Sequence, residues 1–363
     1  MKRLLCILDS LNAGGAETFL MKISRSIPAE QYQFDFVVSK DGGVYSQEIL
    51  NRGGKIYEVP PRRKDFWKAF WSIRSIVKNN KYEYVLKLGD APIVGLDLLA
   101  AKMGGAKCLA FRSCNALTGL SIKGKIADFV MRPVLNKIAN VKLAPSVLAA
   151  EYTFGKRQST NVHILHNGVD LRIYHFDYEG RSKIREEFAI KDKLVVGHIG
   201  RFNKQKNHEY LLKVFYEIRK QCPDAVLMLV GIGELEEPVR KRIKELELEP
   251  YVVFTGLRFD IPQLLSAMDV FVFPSFHEGL PNTVIEAQST GLPCVISDAI
   301  TKEVNITGLI NYMPLDIAPI EWAKTALEVS DALRRDAAEE FRENGFDIES
   351  VSREFLTILG LGE

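Results

Sequence analysis

Long hydrophobic runs are missing from this sequence. No stretch of 18 consecutive apolar residues occurs in its 363, so no transmembrane helix is expected. Cysteine pairs are missing too. Cys6, Cys108, Cys114, Cys222 and Cys294 are odd in number, far apart and never in a Cys-x-x-Cys arrangement. That speaks against a disulfide framework and against zinc, and for a reducing cytoplasm. Short-period repeats and low-complexity linkers are also absent. The opening "MKRLLCILDSLNAGG" lacks what a signal peptide needs: its apolar part is only about seven residues and runs into Asp9 and a glycine pair. A first β-strand is the expectation there.

What is present is the composition of a soluble globular chain, 47% hydrophobic and 26% charged, long enough for two domains. The net charge of +2 hides an asymmetry. Residues 1–170 hold 25 Lys+Arg against 14 Asp+Glu, a net of +11; the remainder holds 23 against 32, a net of −9. A basic front half suits a large or diffuse anion, such as membrane phospholipid, a lipid pyrophosphate or nucleic acid. The alternative is that the two halves attract each other across a cleft. Nucleic acid finds no supporting motif and is not expected as a partner.

Short apolar runs alternate with helix-period segments. "LLCILDS", "FDFVVS", "KIYEVP", "YEYVLKLG", "KCLAFRS", "VKLAPS" and "VHILHNG" read as strands, and a second series follows: "LVVGHIG", "AVLMLVG", "YVVFTG", "VFVFPS", "PCVISD" and "INYMP". Helices are expected over 66–80, 123–140, 208–221, 234–248, 280–290 and 348–359. Strands apolar throughout and separated by helices predict parallel sheets covered on both faces. The fold class expected is α/β, two doubly wound Rossmann-like domains facing across a cleft. Turn residues at 167–180 place the boundary: 1–175, 176–345, and a final segment 346–363 packing back on the first domain. Ligands of such sheets bind beyond the carboxyl ends of the strands.

Gly14 and Gly15 precede a helix, so their amides suit an anion, although a tight turn explains them as well. Arg201 and Lys206 follow the first strand of the second series; a planar fork and a compact charge suit a diphosphate. Gly231 and Gly233 stand where a dinucleotide fingerprint begins, but its third glycine would fall at Glu236, and a tight turn is the better reading. "HEGLPNTVIEAQ" reads as a loop entering a helix, with Pro281 in the first turn. The amides of Leu280, Asn282, Thr283 and Val284 are then donors at the helix end. Glu278 and Glu286 are carboxylates suited to gripping hydroxyl pairs a few ångströms apart, as on a nucleotide sugar.

Taken in order, "GGAE", "HNGVD", "GRFNKQKN", "LVGIGEL" and "HEGLPNTVIEAQSTGLPCVISD" resemble a retaining glycosyltransferase of family 4 with the GT-B fold, of the bacterial kind that builds exopolysaccharide or capsule. The resemblance implies a sugar transferred from a nucleoside-diphosphate donor, UDP-linked, to a lipid-linked or oligosaccharide acceptor. It implies Glu278 beside the donor sugar, with Gly279; Glu286 on the ribose; Arg201 and Lys206 on the diphosphate; and Gly14 and Gly15 against it. "FRSCN" departs from the family: Arg112 and Cys114 stand where histidines are common, and Arg112 with Asn115 is assigned to the acceptor instead. His166 and His198, on strand ends, are read as structural. No Asp-x-Asp pair occurs, so neither a metal nor another cofactor is expected. An epimerase on the same fold and a non-catalytic nucleotide-binding module are the alternatives. "PPRRKDFWKAFWSIRSIVK" interleaves Arg62, Arg63 and Lys64 with Trp67 and Trp71. It predicts either an interfacial helix on an anionic membrane or an ordinary amphipathic helix with Trp in the core. The location expected is cytoplasmic, at the inner face of the membrane.

Overall fold

The computed structural model describes all residues except 13, 40, 41, 90, 115–121 and 363, together with the side chains of 122–125. The chain divides into two compact units, Met1–Gly168 with Gly345–Glu363, and Val169–Asn344. The first unit has a seven-stranded parallel sheet of β1 (Lys2–Ile7), β2 (Tyr32–Val38), β3 (Ile56–Glu58), β4 (Tyr84–Gly89), β5 (Cys108–Ser113), β6 (Val141–Ala144) and β7 (His163–Ile164). Their spatial order is 3-2-1-4-5-6-7. The second unit has a six-stranded sheet of β8 (Val195–Ile199), β9 (Val226–Val230), β10 (Val252–Gly256), β11 (Val270–Phe273), β12 (Cys294–Ser297) and β13 (Ile310–Met313), ordered 10-9-8-11-12-13. Every strand pairing is parallel. All thirteen segments read as strands from their apolar runs are strands. Each sheet reverses its order once, between β1 and β4 and between β8 and β11. Loops leaving strands on either side of such a switch point diverge and leave room for a ligand.

Helices cover both faces. In the first unit they are α1 (Gly15–Ser26), α2 (Ser46–Asn51), α3 (Phe66–Asn80), α4 (Leu96–Gly104), α5 (Ile122–Ile138) and α6 (Val147–Phe154). The second has α7 (Tyr178–Glu187), α8 (His208–Gln221), α9 (Glu236–Glu245), α10 (Ile261–Ala267), α11 (Asn282–Ser289), α12 (Pro319–Ser330) and α13 (Ala338–Glu343). The last helix, α14 (Ile348–Ile358), belongs to the first unit. There Phe355 packs edge-on to Phe19 at 6.0 Å. α3 shows how local sequence sets an element. Asp65 caps it by accepting from the Lys68 amide, and Ala69, Phe70, Ile73 and Val77 recur at helical spacing and are buried. Lys81 then ends it in the left-handed conformation.

Candidate active site

Beyond β8 the chain makes a single 3-10 turn at Lys204–Lys206, capped by Asn203, which accepts from the Lys206 amide at 3.2 Å. Two hydrogen bonds strap this turn to the loop after β11. The Phe276 amide donates to the Gln205 carbonyl at 2.9 Å, and Gln205 Nε2 donates to the His277 carbonyl at 2.8 Å. The strapping delivers Lys206 to Glu278: Nζ lies 2.7 Å from Oε1, with side chains only 15% and 11% exposed. The same ammonium stands 4.4 Å from the centre of the Phe273 ring. Opposite charges this close and largely withdrawn from water are strongly coupled, and deleting either would strand the other.

The glycines after β9 serve the same loop. Gly231 has φ +132°, and a Cβ there would run into the Gly200 carbonyl oxygen; one on Gly233 would strike the Phe202 backbone. Gly231-x-Gly233 is therefore the close approach of two loops rather than a dinucleotide fingerprint. Arg201 reaches the other way, 3.0 Å from Glu234, with side chains 69% and 56% exposed. Arg201 and Lys206 thus each meet a different carboxylate.

α11 starts at Asn282, one residue later than Pro281 in the first turn would put it: Pro281 is the N-cap, in extended conformation. Its carbonyl accepts from the Val284 amide at 3.1 Å and the Ile285 amide at 3.3 Å. Val284 is thereby removed from the expected set of open donors. Asn282 and Thr283 form the first turn of α11, at the positive end of its dipole. Glu286 lies in the second turn and is 8% exposed. Gly279 and Leu280 are partly buried in the loop that leads in.

Behind Lys206 sit two histidines, one of which, His208, the sequence reading did not single out. His198 is buried and structural: Nδ1 donates to the Val272 carbonyl at 2.9 Å, and its ring lies 5.4 Å from Phe273 and 4.9 Å from His208. His208 opens α8 and stacks on Phe202 at 4.5 Å. Burial, then the nearby Lys206, pushes its pKa down to about 4. Burial and His208 hold His198 well below the ordinary range. Both are neutral at pH 7. The residue's only sequence signal was its place at the start of an apolar helix.

The remaining candidates lie in the first unit. Gly14 is the N-cap of α1 and Gly15 its first residue. The Gly14 amide donates to the Asn12 carbonyl at 2.8 Å, and a Cβ on Gly14 would meet the Glu17 carboxylate, whereas Gly15 faces open space. The assignment of Arg112 to the acceptor is corrected. It is 1% exposed, its guanidinium lies 3.6 Å from the centre of the Phe19 ring and donates to Asn167 Oδ1 at 2.7 Å. Burial lowers its pKa to about 10. Arg112 therefore secures the turn at 165–168 from inside. His166 belongs to the same anchorage: Nδ1 donates to the Pro145 carbonyl at 3.0 Å and the ring stacks on Phe346 at 4.1 Å. A Cβ on Gly168 would strike Ile348. Asn115 lies outside the described residues.

Residues 193–329 match the family model "Glycosyl transferases group 1". The chain is 32% identical over 343 residues, 92% of its own length, to "Putative glycosyltransferase EpsF" of Bacillus subtilis (strain 168), 89% of which is covered. It belongs to the group 1 glycosyltransferases and has their two-sheet GT-B fold. The relatives include, at 25% identity over 75% of this chain and 73% of the relative, an Escherichia coli "UDP-Gal:alpha-D-GlcNAc-diphosphoundecaprenol alpha-1,3-galactosyltransferase". Among solved structures, Anabaena Alr3699/HepE in complex with UDP and glucose superposes with a TM-score of 0.80 at 20% identity, over 99% of this chain and 100% of that one.

Proposed function

We propose that this glycosyltransferase moves a sugar from a UDP-linked donor to a lipid-linked glycan, with retention of configuration and without a metal, during synthesis of a surface polysaccharide. The observation that carries this reading is the Lys206–Glu278 pair at 2.7 Å, on loops from both sides of the switch point in the second sheet. A diphosphate competes with Glu278 for Lys206. As Lys206 turns to the phosphates, Glu278 is released to accept hydroxyls of the donor sugar. Arg201 and the amides of Asn282 and Thr283 add positive charge for the departing diphosphate. Glu286 takes the ribose hydroxyls. The C1–O bond to the diphosphate breaks, the acceptor hydroxyl bonds to C1 on the same face, and its proton passes to the departing phosphate oxygen. The E. coli relative, named for UDP-galactose and a diphosphoundecaprenol acceptor, supports the choice of donor and acceptor classes.

The protein works at the inner face of the membrane, where such an acceptor resides. Support comes from Trp67 and Trp71 on α3, 65% and 48% exposed rather than in the core. Arg62 takes no part in that contact, because it is turned inward to Asp97 and Asp9.

The test is incubation of the purified chain with labelled UDP-sugars and a membrane extract, with EDTA present. Label should pass into the lipid fraction in an α-configured linkage from an α-configured donor. Free epimer, β-linked product or transfer abolished by EDTA would each overturn the corresponding part of the reading.

A further inference from the structure

Behind the Lys206–Glu278 pair several polar atoms stand without a partner. His198 Nε2, both ring nitrogens of His208 and Ser275 Oγ are buried and make no hydrogen bond among the described residues. Folded chains rarely leave buried polar groups in that state, because each has given up water and received nothing in return. His198 is the sharpest case, since its tautomer is fixed. Nδ1 donates to the Val272 carbonyl at 2.9 Å. The ring is held neutral by burial, so Nε2 carries a lone pair and no proton. The anchorage to Val272 uses one side of the ring and leaves the other waiting for a donor.

His208 does not supply that donor: its ring stands 4.9 Å from His198, and neither of its nitrogens pairs with Nε2. Lys206 lies beside it. A Cβ on Gly200 would come within 3.1 Å of His198 Nε2 and within 3.1 Å of Lys206 Cε. Both atoms therefore line one small space, left open because residue 200 has no side chain. They also share Phe273, with Nζ 4.4 Å from its centre and the imidazole 5.4 Å from it, the two ring planes 24° apart. An ammonium has three N–H bonds to give, and Glu278 takes one of them at 2.7 Å.

We propose that His198 is a positioning residue for Lys206: once a diphosphate draws the ammonium off Glu278, Nε2 accepts one of its N–H bonds and holds it toward the phosphates. This rests on the reading of Lys206 given above and adds the group that aims it. The lone pair then finds its partner in the working state. A lysine is a compact charge on a flexible stem. Held at one point, it meets the growing charge of the leaving group without first being gathered from several rotamers.

The test is a double-mutant cycle on the full-length chain, with labelled UDP-sugar and membrane extract. His198→Asn keeps an N–H near the place of Nδ1 and removes the lone pair at Nε2. It should lower kcat roughly 10- to 100-fold and leave the donor KM within about twofold. His198→Gln, whose carboxamide oxygen reaches the place of Nε2, should recover most of that loss. In a Lys206→Ala background His198→Asn should cost nothing further, because no ammonium remains to be placed. The parent supplies a readout that no variant's folding can obscure: the ¹⁵N resonance of His198 Nε2 should move upfield on addition of UDP, as an imidazole lone pair does when it accepts a hydrogen bond. Parent turnover in His198→Asn, the same loss in both backgrounds, or a resonance unmoved by saturating UDP would each overturn the proposal. Parent turnover in Lys206→Ala alone would instead overturn the reading of Lys206, and the proposal with it.

Discussion

Helices flank both sheets in the same architectural role, yet their outer faces differ. On α8 and α9 of the second unit the outward side chains are charges of both signs in local pairs: Lys213 with Glu209, Lys220 with Glu217, Arg240 with Glu236 and Arg242 with Glu245, at 3.4, 2.9, 2.8 and 2.9 Å. On α3, α4 and α5 of the first unit the outward side chains are apolar or cationic apart from Ser75 and Asn79, and the two acids are buried. The first pattern is a solvated face, self-neutralising and indifferent to partners. The second leaves both its charge and its apolar area unanswered within the helices. The lesson concerns where the +11 of residues 1–170 resides: much of it stands on one side of one sheet.

Four measurements test that contrast. The largest effect is expected from two phenylalanines, one on a helix of each unit. Phe215 on α8 is fully buried and Phe129 on α5 is 75% exposed. Phe215→Ala should cost about 3–5 kcal/mol by denaturant unfolding, and Phe129→Ala less than about 0.5. Similar losses in both would place Phe129 in a core and dissolve the comparison.

Next comes the paired charge of the second unit. Lys206→Ala should lower kcat by roughly 100- to 1000-fold, since charge on the leaving diphosphate grows toward the transition state. Glu286→Ala should instead raise the donor KM with kcat nearly kept. Steady-state kinetics separates the two, and normal turnover in the Lys206 variant would exclude it from the chemistry.

The third concerns pH. His208 ionises near pH 4 when folded and near 6.5 when unfolded. As pH falls below about 6.5 the unfolded chain takes up a proton that the native state refuses until about pH 4. Stability is therefore lost across that interval as pH drops, by about 3 kcal/mol at most. His198 adds to the loss in the same direction. Melting curves should show a steeper acid decline in the parent than in His208→Phe, and parallel curves would contradict a neutral buried imidazole.

The smallest effect is reserved for the solvated face. Glu236→Ala, which breaks the exposed pair with Arg240, should change stability by about 0.5 kcal/mol or less. A larger loss would mean that the pairs on α9 hold the fold and do not merely decorate it.

Much of the architecture was legible in advance because its signals are local. Apolar runs marked all thirteen strands, and helical spacing marked α3 and α8 at their observed bounds. Gly231 and Gly233 were readable as a turn because backbone geometry demands little sequence context. The site was legible in part: Glu278 and Lys206 were expected at one place, but their ion pair depends on Gln205 and His277, residues with no chemistry of their own to announce it. Arg112 was misread because an arginine in a strand end looks the same whether it faces a ligand or stacks under Phe19. His208 went unnoticed for a similar reason, since its neutral state is a product of burial.

α5 marks the division between the two kinds of information. Residues 123–140 were readable as a helix from their 3.6-residue period, because period and propensity are properties of neighbouring residues. The sequence by itself could not determine which way their apolar side chains face. Ile126, Phe129 and Val130 at helical spacing suit a core and a membrane equally well, and only the packing of Leu135 and Ile138 against the sheet and of Asp128 against Tyr152 turned them outward. Direction is a property of contacts between segments far apart in the chain. For that reason the tertiary structure alone decided it.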